Sequence, residues 1–162
     1  MAYQKLQLAL AADVIKSDTI DIPLESSSQI TGESDASIPA NKLTDAAIDF
    51  TAIQGLVNGA IIVNVTDGTI ATVTAIDSAH VLSLSANIIQ AASKAYKIYL
   101  NPTANHGVGA IIYVGGAGDL KVKTASGSIV TYTGIPAGFF VPVQVLRVYS
   151  TDTTATGLIA NW

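Results

Sequence analysis

Near its centre the chain reads Ile61-Ile-Val-Asn-Val-Thr66, then Asp67-Gly68, then Thr69-Ile-Ala-Thr-Val-Thr-Ala-Ile76. β-Branched residues dominate both runs, and they favour strands because their side chains pack well on a pleated surface. Asp-Gly adopts positive φ at little cost, which suits a two-residue hairpin turn. The segment therefore predicts two antiparallel strands joined at Asp67-Gly68.

Two more strands are predicted after this hairpin. Val81-Leu-Ser-Leu-Ser85 and Ala95-Tyr-Lys-Ile-Tyr-Leu100 alternate apolar and polar residues, as half-buried strands do. Asp77-Ser-Ala-His80 provides the turn before the first of them. Together with the hairpin they predict a meander of about four strands, which is the size of a small barrel.

A second β-rich block runs from residue 109 to residue 162. Pro142 lies within its longest predicted strand and is expected at an edge or a bulge, because proline cannot donate a ladder hydrogen bond. Trp162 is expected to dock against the fold. The predicted strands cover residues 110–114, 119–124, 128–133, 139–149 and 157–162, with glycine-rich turns at 115–118 and 134–138.

Two polar segments, residues 25–40 and 101–109, have the composition of linkers. Before the first lies Asp18-Thr-Ile-Asp-Ile-Pro23, a short alternating strand that is expected to pair with the C-terminal block. We therefore predict an all-β protein with a discontinuous β-sandwich or barrel domain and an inserted small β-barrel-like module. The domain comprises residues 1–29 and 103–162, the module comprises residues 30–102, and residues 1–28 are expected to form an arm that crosses to a neighbouring subunit.

The composition narrows the classes of function. Of 162 residues 49% are hydrophobic and only 12% charged, against roughly 25% charged in average globular domains. Such a chain is expected to bury part of its surface against copies of itself or a partner.

A net charge of −4 with a single arginine, Arg147, argues against nucleic-acid binding. No run approaches the roughly 20 apolar residues of a spanning helix, so no membrane partner is expected. No secretory leader is recognisable, so the protein is expected to stay in the cytoplasm where it is made.

No catalytic, cofactor-binding or metal-binding residue is predicted, and no cofactor. Cysteine is absent, and the histidines His80 and His106 fall in a predicted turn and a predicted linker. Gly115-Gly-Ala-Gly118 lacks the lysine and helix of a phosphate loop, and Ser128 has no histidine downstream to act as its base. Carboxylates that meet only in space leave a glycosidase-type pair as an alternative. The aspartates at predicted strand ends and turns are Asp18, Asp21, Asp45, Asp49, Asp67, Asp77, Asp119 and Asp152.

Three segments of the second block look familiar: Ala110-Ile-Ile-Tyr-Val-Gly-Gly-Ala-Gly-Asp-Leu-Lys-Val122, Val130-Thr-Tyr-Thr-Gly-Ile-Pro-Ala-Gly-Phe-Phe-Val-Pro-Val-Gln-Val-Leu-Arg-Val148 and Thr153-Thr-Ala-Thr-Gly-Leu-Ile-Ala160. They resemble the head spike-base proteins of tailed phages and gene transfer agents. In that family a short strand like residues 18–23 directly precedes the Tyr-Val-Gly strand, whereas here residues 30–102 intervene. The insert is itself similar to a module that recurs in phage structural proteins, through Asn41-Lys-Leu-Thr-Asp45, Val63-Asn-Val-Thr-Asp-Gly-Thr-Ile-Ala-Thr-Val-Thr-Ala-Ile-Asp-Ser78 and Leu82-Ser-Leu-Ser-Ala86.

The resemblance implies a bacteriophage virion structural protein: a capsid decoration (cement) protein or head spike-base subunit on the outer surface of the head. Its implied partners are its own copies in a homo-oligomer, with a trimer favoured, the major capsid protein, and a head or tail fibre protein. The main alternative is a tail or fibre-associated protein that binds the host surface, which predicts exposed aromatic clusters in loops. An enzyme that degrades polysaccharide is the third reading and needs a cleft lined by carboxylates.

Overall fold

A computed structural model describes residues 10–24, 29–35, 39–100 and 109–162. The described chain is all-β, as predicted, with one short 3-10 helix at Phe50–Ala52. The strands are β1 Ala11–Asp13, β2 Gln29–Glu33, β3 Lys42–Thr44, β4 Ile61–Asn64, β5 Thr69–Ser78, β6 Val81–Leu84, β7 Ala95–Tyr99, β8 Ile111–Gly116, β9 Gly118–Thr124, β10 Ile129–Ile135, β11 Phe139–Phe140, β12 Val145–Val148 and β13 Thr156–Asn161.

The chain divides into two compact units, each with its own apolar core. Residues 27–104 form the inserted unit, and residues 1–26 with 105–162 form the discontinuous unit. The sequence-based boundaries lie two or three residues away. Gln29 belongs to the insert because it pairs with Tyr99 across the β2–β7 ladder.

The inserted unit is a six-stranded antiparallel sheet in the order β2-β7-β4-β5-β6-β3, curled into a half-barrel. Two features differ from the prediction. β7 does not follow β6 in a meander but crosses to pair with β4, and Gln29–Glu33, expected in a linker, forms the edge strand β2 beside β7. Alternating burial in β6 and β7 sets the side that each strand presents, since the buried residues Leu82 and Ile98 face a common core.

The β4–β5 hairpin forms as predicted, but its turn is longer. Asn64 pairs with Thr69, so the loop contains four residues rather than two. The side chain of Asn64 explains this difference: its carbonyl oxygen accepts from the N–H of Asp67 at 3.0 Å, and its amide donates to the Asp67 carboxylate at 2.8 Å. Gly68 takes the positive φ of +64° that the Asp-Gly sequence predicts.

The discontinuous unit packs two antiparallel sheets around one core. One sheet has the order β1-β13-β8-β11 and the other the order β10-β9-β12. The chain passes from the first sheet to the second between β8 and β9, and again between β11 and β12. The core lies between the sheets and is built from Ile22, Ala110, Ile112, Val114, Leu120, Val122, Ile135, Val141, Val145, Val148, Ala155, Leu158 and Ala160.

The glycine cluster at residues 115–118 is not the turn that the sequence predicts. Gly115 and Gly116 end β8, Gly118 begins β9, and only Ala117 stands between the two strands. The glycines are needed for close backbone approach: a Cβ on Gly115 would lie 2.8 Å from the carbonyl oxygen of Gly157. The cluster is therefore a corner at which one continuous strand changes sheet.

The long strand predicted over residues 139–149 is broken. β11 and β12 lie in different sheets, and Pro142 falls in the break between them. Its missing N–H ends the ladder, so the chain changes sheet at the point where proline was expected to make a bulge or an edge.

The N-terminal segment pairs with the C-terminal block, but residues 18–23 do not form a strand. β1 pairs with β13, and the N–H groups of Ser17 and Ile22 donate to carbonyls of β12 at 2.9 and 2.7 Å. The described part of the expected arm, residues 10–24, forms these hydrogen bonds with its own chain, and residues 1–9 and 25–28 lie outside the described residues. Trp162 packs against the core as expected.

Candidate functional site

The outer side of the sheet β10-β9-β12, which we call the charged face, has the character of a solvated surface. Leu120 and Val122 point into the core, so Lys121 and Lys123 point outward, as their spacing predicts. Lys121 pairs with Asp152 at 2.9 Å. Lys123 and Arg147 both reach Asp21, at 3.4 and 2.6 Å. Lys121, Lys123 and Arg147 therefore each have an acidic partner on this face.

The outer side of the other sheet is different. Phe140, Tyr113 and Ile159 are direct cross-strand neighbours there, and Ile111 lies in the next row. Phe140 is 49% exposed, and its ring lies 5.1 Å from that of Tyr113. We call Ile111, Tyr113, Phe140 and Ile159 the apolar face. Asp13 in the edge strand β1 and Asn161 in β13 lie on the same side, so the four apolar residues form a patch bordered by polar residues. An antiparallel sheet with one solvated side normally carries polar residues there, so this patch has the composition of a surface that is covered by a partner.

The strand β10 is a second uncovered feature. It is the edge of its sheet and is exposed along almost its whole length. Ile129 and Val130 are 59% and 37% exposed, and the strand contains no charged residue. An exposed, uncharged edge is a template for pairing with another strand.

The residues of these two surfaces are not among those predicted from the sequence, although the sequence contains a signal for them. In a strand, consecutive residues point to opposite sides. The pairs Ile111-Ile112, Ile129-Val130 and Phe139-Phe140 must therefore each place one large apolar residue away from the core. Two consecutive large apolar residues in a strand therefore indicate a place where the surface is apolar.

The aspartates serve mainly as hydrogen-bond acceptors within the fold. Asp49 caps the short helix by accepting from the N–H groups of Thr51 and Ala52. Asp18 does not cap its own segment but the loop after β12, accepting from the N–H of Thr151 at 3.0 Å and from the hydroxyls of Ser150 and Thr151 at 2.7 and 2.8 Å. These donors lower the pKa of Asp18 to about 2, the Thr151 N–H having the largest effect.

One groove in the inserted unit brings three acidic residues together, as the enzyme alternative requires. Glu33, Asp35 and Asp45 line a space of about 490 Å³. Asp45 is buried and accepts from the Tyr96 hydroxyl at 2.6 Å, and Asp35 accepts from the N–H of Ala46 at 2.8 Å. Two of the three carboxylates therefore hold the fold of the inserted unit together.

His80 lies in the β5–β6 turn as predicted, with Nδ1 2.7 Å from the carbonyl oxygen of Ile48, while His106 lies outside the described residues. Among residues 10–24, 29–35, 39–100 and 109–162, no cluster of three or more histidine and acidic side chains is arranged to hold a metal ion. No helix in these ranges has the length and apolarity needed to cross a membrane.

No family model, curated protein or solved structure matches the chain.

Proposed function

We propose that this chain is a structural virion protein of a tailed phage or gene transfer agent: a capsid decoration, cement or head spike-base subunit on the outer surface of the head. The observation that carries the proposal is the contrast between the two sides of the discontinuous unit. On one side the charges of Lys121 and Arg147 are paired, and on the other the exposed Phe140 lies against the half-buried Tyr113 in an apolar patch. The resemblance of residues 110–160 to spike-base proteins is the reason for proposing a phage head as the particle to which the subunit binds.

The mechanism is burial of apolar surface. Each large apolar side chain that moves from water into an interface contributes about 1.5–3 kcal/mol. The apolar face of one subunit offers several such side chains, and a particle repeats the contact in every symmetry-related copy. The partners under this proposal are the major capsid protein, a fibre protein seated on the subunit, and further copies of the chain. The role requires no bond-making chemistry.

Binding to undecorated heads tests the proposal. Phe140→Ser should weaken co-sedimentation with heads at least tenfold, because it removes the most exposed aromatic residue of the apolar face. Val57→Ser is the matched control: Val57 is 51% exposed but lies in the inserted unit, outside that face. Equal binding by both variants, or no binding by the wild-type protein, would contradict the proposal.

One observation favours host-surface binding as a second candidate function. Phe139 and Phe140, 44% and 49% exposed, follow a turn and adjoin Tyr113, so an aromatic cluster is available to stack on a sugar ring. The same Phe140→Ser variant separates the two functions. Loss of binding to host cells with unchanged binding to heads would favour this second candidate.

A further inference from the structure

β10 is the strand whose free edge is least protected. Natural proteins keep edge strands from pairing by shortness, charge, proline or a covering segment. β1, β3 and β11 are only two or three residues long, and β2 contains Glu33. The outer edge of β12 is covered by the N–H groups of Ser17 and Ile22. β10 is seven residues long, uncharged and exposed, and its register irregularity lies between Tyr132 and Ile135, so residues 129–132 keep a regular edge.

The backbone groups that this edge offers follow from the ladder with β9. The N–H of Thr124 donates to the carbonyl oxygen of Ser128 at 2.9 Å, so these two residues form a hydrogen-bonded pair. Pairs of this kind alternate along an antiparallel ladder. The ladder is regular from Ile129 to Tyr132 and its register shifts between Tyr132 and Ile135, so the N–H and C=O groups of Ile129 and Thr131 point away from β9. In the described part of the chain no strand pairs with this side of β10.

We propose that β10 pairs antiparallel with β10 of a second copy of the chain, about a two-fold axis at Thr131. In this register each Thr131 lies opposite Thr131 of the partner subunit, and Ile129 lies opposite Thr133 of the partner subunit. The outward N–H of each Thr131 then donates to the carbonyl oxygen of the other Thr131. The two three-stranded sheets become one continuous sheet of six strands across the dimer.

A second copy suits this edge because the strand is complementary to itself. A two-fold contact places identical residues near one another, so a charge near the axis would repel its own copy, and β10 has none. The register also sets Val130 opposite Tyr132 of the partner subunit, a favourable pair of β-branched and aromatic side chains.

The surface beside the strand provides room for these side chains. A groove of about 410 Å³ lies along the inner side of β10, lined by Val130, Tyr132, Val143 and Gln144 among others. Aromatic side chains from the second copy can enter it as the sheets join. The edge and the groove together form one continuous docking surface.

Substitutions that place a positive or a negative charge at the two-fold axis test the pairing. Light scattering after size-exclusion chromatography should give an even number of chains for the wild-type protein. Thr131→Lys and Thr131→Glu should each halve that number, because each places two like charges opposite one another. An equimolar mixture of the two variants should restore the wild-type mass. Thr74→Lys, at an exposed strand position of the inserted unit, is the matched control and should leave the mass unchanged.

A wild-type mass of one or three chains would overturn the pairing, as would a mixture that fails to recover the mass. Amide hydrogen exchange gives a readout without any variant: the N–H groups of Ile129 and Thr131 should exchange more slowly as protein concentration rises. Exchange that does not depend on concentration would also overturn it. The pairing is independent of the virion proposal, so a dimer that ignores heads would defeat that proposal alone.

Discussion

Asp18 fixes the N-terminal segment through a carboxylate that is held ionised. Because its pKa is lowered to about 2 by donors from Ser150 and Thr151, its contribution to stability is present above the ordinary carboxyl pKa of about 4. That contribution is lost as the pH falls from about 4 through 2. Asp18→Asn should therefore show a shallower loss of stability across this range than the wild-type protein, as measured by urea unfolding at several pH values.

A carboxyl titration followed by NMR checks the cause of this behaviour. The Asp18 signal should titrate near pH 2 in the wild-type protein. Ser150→Ala should move the midpoint upward, because it removes one donor to the carboxylate. A wild-type midpoint near pH 4 would contradict the prediction.

Tyr96 and Asp45 form a buried polar contact in the inserted unit. Burial first, and then the hydrogen bond to Asp45, raise the pKa of the Tyr96 phenol far above its ordinary value. The neutral phenol is thus favoured in the folded state, and the stability it provides is present below about pH 10 and is lost as the pH rises further. Tyr96→Phe leaves the buried Asp45 without this donor and should lower the free energy of unfolding by about 1–3 kcal/mol at pH 7.

Urea unfolding of both forms measures this cost. Tyr149→Phe is the control, because it keeps the ring that lies beneath Lys121 and Arg147 and should leave the midpoint unchanged. The variant Tyr96→Phe should also lose less stability than the wild-type protein between pH 10 and 11. An unchanged midpoint for Tyr96→Phe would show that the contact is unimportant.

At the scale of elements, alternation predicted most strands and failed where the chain changes sheet. β6 and β7 follow their apolar/polar pattern closely, because a one-residue slip would expose Leu82 or Ile98. The glycines at residues 115–118 were read as a turn because glycine serves turns and close backbone contacts alike. Which role applies depends on Gly157, some forty residues away, and no local pattern contains that information.

The corner at Gly118 gives an element-level prediction. A Cβ there would lie 2.6 Å from the backbone nitrogen of Ala155 and 2.8 Å from the carbonyl carbon of Thr154. Both neighbours are backbone atoms, so the strand itself must shift, and Gly118→Ala should cost about 1–3 kcal/mol. In Gly127→Ala the new Cβ meets open space and only the positive φ of +90° opposes it, so about 1 kcal/mol is expected. Urea unfolding of the two variants compares them, and a larger cost at Gly127 would refute the close-approach argument.

At the scale of the molecule, composition indicated that apolar surface remains to be covered, but not where. With only 12% charged residues, the chain cannot cover all of its surface with charge. Which side of the sheet stays apolar depends on the register of β8, β11 and β13. The placement of Phe140 beside Tyr113 depends on the break at Pro142, which the sequence analysis read as a continuous strand. The presence of uncovered apolar surface was therefore predictable from the sequence, whereas the residues that form this surface could be identified only from the fold.

The division into two units leads to a prediction about folding. The insert begins and ends at one place, because Gln29 and Tyr99 are opposite each other across the β2–β7 ladder. In the discontinuous unit Ile22 donates to the carbonyl of Leu146, and Ala110 pairs with Val145, so both chain ends flank the start of β12. Two strand spacings separate such positions by roughly 10 Å, a distance that a few residues span.

Each unit should consequently fold without the other. Residues 27–104 expressed alone should unfold in a single cooperative transition, since the core of this unit draws on no residue outside that range. The complementary protein, with residues 27–104 replaced by a short Gly-Ser linker, should keep its strand signal in circular dichroism and its own transition. If either piece lacks a cooperative transition, the two cores depend on each other and the insert is not a separable module. If both fold, the head-binding and self-pairing experiments can be repeated on the discontinuous unit alone, where the apolar face and β10 both lie.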